Sequence, residues 1–68
     1  MENRIDKIYA HVFVGERKWW AGQLPCAPRA GDVIRLSNLL YVKVREVTWC
    51  LDEPHPLGLR VNIATKKV

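Results

Sequence analysis

What this chain lacks narrows it first. No apolar stretch comes near the roughly 18 residues that a membrane-spanning helix needs, and the N-terminus, MENRIDKIYAHVFV, is charged where an export signal would be apolar. The expectation is no membrane partner, no export and a cytoplasmic location. No window places apolar residues at three- and four-residue spacing with polar residues between, so no helix is predicted. There is no internal repeat, low-complexity tract or linker, and 68 residues allow one domain, spanning 1–68.

The chemistry of catalysis is also thin. The only cysteines are Cys26 and Cys50. Without export they stay reduced, and they are expected to be small buried hydrophobes. A disulfide or half of a metal site are the other readings. Zinc would need further ligands from His11, His55 or the acids, and no pair has a C-x₂₋₄-C or H-x₃₋₅-H spacing. No metal and no cofactor are predicted. Phosphate-binding glycine loops are missing, and Ser37, Thr48 and Thr65 have no histidine at a recognisable motif spacing. Asp52 and Glu53 adjoin His55 in LDEPHPLG, which reads as a solvated polar turn. Ligand pockets usually occupy about 300 Å³ or more, a volume for which so short a chain has little room. No small-molecule substrate and no enzymatic activity are expected.

What is present is globular: 49% hydrophobic residues, with four prolines and four glycines separating short alternating runs. That is the pattern of an all-β domain. From Lys7 to Val14, the residues Ile8, Ala10, Val12 and Val14 share one face and Tyr9, His11 and Phe13 the other, because successive strand side chains alternate. Gly15-Glu16 suits a type II′ hairpin turn, and a second strand runs from Arg17 to Gln23. In that register Trp19 opposes Val12 and points inward, and Trp20 points outward. A three-residue loop would exchange the two rings. Pro25 and Pro28 break the pattern. Gly31-Asp32 then leads into a third strand, Asp32 to Leu36, and a fourth, Leu40 to Trp49. A loop of Ser37 to Leu39 pairs Leu36 with Leu40, Ile34 with Val42, Arg35 with Tyr41 and Val33 with Lys43, with Asn38 supplying positive φ.

The fourth strand changes phase. Leu40, Val42 and Val44 are even positions, whereas Val47 and Trp49 are odd. One face holds both sets only if an extra residue intervenes, so a β-bulge is predicted near Arg45 and Glu46. The fifth strand, Gly58 to Thr65, turns Leu59, Val61 and Ile63 inward, and Lys66, Lys67 and Val68 form a basic tail. The predicted core is Ile8, Val12, Trp19, Ile34, Leu36, Val42, Val44, Val47, Trp49, Val61 and Ile63.

Five short strands, one of them bent, make a small, partly open barrel. At fold level this resembles the SH3-like and Sm-like small barrels. The stretch LPCAPRAGDVIRLSNLLYVKVREVTW is also similar to short bacterial β-proteins in which Pro-Arg-x-Gly-Asp leads into a hairpin ending in an aromatic residue. That resemblance implies a fold and a bacterial or mobile-element origin, and it implies no activity.

Two surfaces are candidates for binding. Tyr9, His11, Phe13 and Trp20 would form an exposed aromatic face on the first hairpin, and such patches mark interaction sites. A domain this small buries only about 60% of its unfolded surface and gains from a cover. The sequence therefore predicts a homo-oligomer, a dimer first, or another protein partner; folding of the N-terminal residues, or of the LPCAPRAG loop with Leu24 and Pro25, over the patch is the competing reading. The second surface is Arg35, Tyr41, Lys43 and Arg45, with Arg60 beside them. The net charge is +4, and cations around an aromatic ring fit single-stranded nucleic acid. A charged strand face that resists edge aggregation explains the same residues.

Overall fold

The structure, a computed structural model, describes residues 7–53, 56 and 58–68. Among these residues, five strands form one open, strongly curled half-barrel. They are β1 (Ile8–Val14), β2 (Arg17–Leu24), β3 (Val33–Ser37), β4 (Leu40–Trp49) and β5 (Leu59–Lys67). The sheet order is β2-β1-β5-β4-β3, so β2 and β3 are its two edges. Three neighbours pair antiparallel, and β1 pairs with β5 in parallel, Ile8 opposite Leu59 through Val14 opposite Thr65. Among the described residues no helix is long and apolar enough to cross a membrane.

Curling lets a single sheet bury one face against itself. Among the described residues the buried core is Ile8, Ala10, Val12, Val42, Val44, Val61 and Ile63, and Thr65 is the one buried polar side chain. The Thr65 hydroxyl donates to the Phe13 carbonyl at 2.7 Å, which satisfies a group that burial would otherwise penalise. Leu24, Ala27, Ile34, Leu36 and Val47 pack around the core with partial exposure. Expected core residues Trp19 and Trp49 do not join it, being 48% and 49% exposed. The register does place Trp49 opposite Val61, on the concave side. It is, however, the last residue of β4 and stands at the end of that strand.

Local devices explain the curl. Val44 pairs with Thr65 and Glu46 with Ala64, leaving Arg45 as the extra residue of a bulge, as the phase change in the sequence predicts. A second bulge was not expected. Val12 opposes Trp20 while Phe13 opposes Lys18, so Trp19 is the extra residue in β2. The turn itself is the anticipated two-residue one, with Gly15 at φ +63° and Val14 opposite Arg17. The third irregularity is in β3. Val33, Ile34 and Arg35 pair with Lys43, Val42 and Tyr41 as expected, but Ser37, not Leu36, pairs with Leu40. The turn is therefore Asn38-Leu39, closed by the Leu39 N–H donating to Ser37 Oγ at 3.2 Å. No described non-glycine residue has positive φ, so Asn38 does not adopt the left-handed conformation assigned to it.

Candidate functional site: the concave groove

The sheet does not close. Between the edges β2 and β3 lies a groove of about 490 Å³. Val12 forms part of its floor, Trp20 and Leu24 one wall, and Ile34, Arg35 and Leu36 the other. The connection from β2 to β3 contributes Cys26, Ala27, Pro28 and Asp32. A volume of this order suits a ligand or an inserted side-chain cluster, which revises the expectation that so short a chain has little room for one. The lining is apolar apart from one cation, Arg35, and one anion, Asp32.

The connection holds its shape through the Pro-Arg-x-Gly-Asp segment. The Arg29 N–H donates to Asp32 Oδ2 at 2.9 Å and the Asp32 N–H donates to the Arg29 carbonyl at 3.0 Å. Gly31, at φ +99°, occupies a conformation that side chains rarely adopt. The Gly31 N–H donates to the Val44 carbonyl, and the Val44 N–H to the Asp32 carbonyl, at 2.9 and 2.8 Å. The loop is thus tied to β4 beside the Arg45 bulge.

The two tryptophans take roles opposite to those expected. Trp20 shares the concave face with Val12, and Trp19 is the bulged residue. Trp20 therefore does not belong with Tyr9, His11 and Phe13. Those three lie on the convex face, opposite Arg60, Asn62 and Ala64 of β5, and are half-buried. The Tyr9 and His11 rings meet edge to face with centroids 5.3 Å apart. Register also aligns Trp49, Val61, Ala10 and Gly22 in one row across four strands. Small residues fill its middle, and tryptophans stand near both ends.

The basic candidates divide as well. Arg35 and Tyr41 are cross-strand neighbours, and Lys43 is next along β4. Arg60 is elsewhere, opposite Tyr9 and ion-paired with Glu53 at 2.9 Å. Lys66, assigned by sequence to a tail, is instead in β5 directly opposite Lys43.

Both cysteines are free thiols, and Cys26 is exposed in the groove, not buried as expected. Among the described residues no three histidine, cysteine, aspartate or glutamate side chains cluster to hold a metal. His55 lies outside the described residues. No family model matches the chain, and no curated protein or solved structure is detectably similar to it.

Proposed function

We propose that this is a non-enzymatic protein-interaction module that self-associates, with a second copy of the chain covering the concave groove around Trp20. One observation carries the reading. All three tryptophans, Trp19, Trp20 and Trp49, are 40–49% exposed, while the buried residues among those described are alanine, valine, isoleucine and threonine. Folding normally hides its largest apolar side chains first, and exposed aromatics are the residues that anchor interfaces.

Charge in the groove does not oppose a second copy as the occupant, because Asp32 and Arg35 of one lining can each meet the opposite charge of the other. Each chain carries a net charge of +4, yet the groove lining holds one charge of each sign. Two chains meeting groove to groove keep Lys43 and Lys66 on their outer faces. The open edges β2 and β3 flank the groove, so main-chain pairing can extend across the contact. A cytoplasmic location, where both thiols stay reduced, is part of the proposal.

Association that stabilises the fold makes melting depend on protein concentration. The melting temperature of the wild-type protein should rise with concentration, and Trp20→Ala should remove most of that dependence. A concentration-independent melt in the wild type would overturn the reading.

A further inference from the structure

We infer that the convex face at the β3-β4-β5 end binds the backbone of single-stranded nucleic acid, through Lys43, Lys66 and Tyr41 with Arg45 at the margin. The charges there are arranged unfavourably. Lys43 and Lys66 are directly opposite in an antiparallel pair, and both are exposed. Opposite residues hold their Cβ atoms about 4.5–5.5 Å apart, and like charges there repel. Among the described residues neither lysine has an ion-pair partner, nor do Arg35 and Arg45. Glu46, the acid of β4, stands opposite Ala64 and pairs with none of them. An anion placed between the lysines would turn the repulsion into attraction.

The neighbouring row supplies the second element. Arg35 opposes Tyr41, and the Val68 N–H donates to the Tyr41 carbonyl at 3.1 Å, so β3, β4 and the end of the chain line up there. Tyr41 is 46% exposed. An exposed ring one row from a pair of cations, about 7 Å along the strand, offers a base its stacking surface and the adjoining phosphate its charge. Tyr41 and the lysines lie on the face opposite the groove, so this binding does not depend on self-association.

The test uses fluorescence anisotropy with an oligothymidylate of about 16 nucleotides, long enough for one site, and with heparin as a polyanion that has no bases. The intact chain should bind the oligonucleotide, with affinity falling steeply as salt rises because counterions are released. Lys43→Glu should weaken binding by about tenfold or more while raising the melting temperature, since it replaces a repelling pair with an attracting one. A structural role alone would not produce those opposite changes. Tyr41→Ala should weaken oligonucleotide binding but leave heparin binding unchanged. Trp20→Ala should leave both unchanged. Absence of binding at low salt, or an affinity untouched by Lys43→Glu, would overturn the inference. Equal effects of Tyr41→Ala on oligonucleotide and heparin would also overturn it, because charge without stacking does not select a nucleic acid.

Discussion

The indole of Trp20 lies across Gly22: a Cβ built on the glycine would stand 2.8 Å from both Cζ2 and Cη2 of the ring. The two residues are on the same face of β2, two positions apart, and Gly22 opposes the fully buried Ala10. The missing side chain lets the ring lie along its own strand and form a wall of the groove. Gly22→Ala should therefore displace the ring without breaking the sheet. Its backbone conformation is open to alanine, and strand interiors favour alanine over glycine by roughly 0.5–1 kcal/mol. The expected result is a folded protein whose tryptophan emission shifts to the red and whose self-association weakens. Emission and association like those of the wild type would show that the ring does not depend on Gly22.

Gly58 has the opposite sensitivity. At φ +150°, its added Cβ would fall 2.9 Å from the Lys7 carbonyl oxygen and 3.0 Å from the Ile8 carbonyl carbon. These are backbone atoms at the start of β1, where the parallel pairing with β5 begins, and they cannot swing aside. Gly58→Ala should cost about 1–3 kcal/mol, read as a lower urea midpoint. A midpoint unchanged from the wild type would mean that β1 does not approach the glycine so closely.

Thr65 is a buried polar side chain of the core, and its hydroxyl donates to the Phe13 carbonyl across the parallel pair. Thr65→Val keeps the shape and removes the donor. The loss should be about 1 kcal/mol, the usual net worth of such a bond, whereas Thr65→Ser should retain the bond and lose only a methyl group. Chemical denaturation of the two variants separates these effects. A valine variant as stable as the wild type would contradict the role given to the hydroxyl.

Trp49 sits on the concave side but is half exposed. Truncating a fully buried aromatic typically costs about 3–5 kcal/mol, so Trp49→Ala should cost clearly less and leave a folded domain. Retained dispersion in an NMR spectrum checks this. Complete unfolding would restore Trp49 to the core.

Much of this architecture was legible in the sequence, for a physical reason. Where one face is apolar and the other polar, a one-residue shift has a visible consequence. The passage from Val44 to Val47 therefore betrayed the bulge at Arg45, and Ile34, Val42 and Lys43 betrayed the pairing of β3 with β4. In Lys18-Trp19-Trp20-Ala21-Gly22 no such contrast exists, because both faces carry apolar side chains. The bulge at Trp19 left no trace in the pattern, and the inward ring was misassigned with it. The parallel pairing of β1 with β5 was also hidden, since it joins strands far apart in the chain. Lys66 was missed because Lys66-Lys67-Val68 reads as a solvated tail, whereas β5 continues through Lys67 and carries Lys66 to Lys43. The open barrel follows from the number of short strands, but which residues line its groove depends on the β2 register, which no local pattern encodes.

The central claim is that copies of this chain meet through the concave groove and not through the convex aromatic face. Sedimentation equilibrium decides it when the wild-type protein, Trp20→Ala and Phe13→Ser are compared over a range of concentrations. The account predicts a dimeric mass for the wild type at high concentration, a monomeric mass for Trp20→Ala, and an unchanged dimer for Phe13→Ser. A wild-type monomer throughout, or a dimer lost in Phe13→Ser and kept in Trp20→Ala, would contradict it.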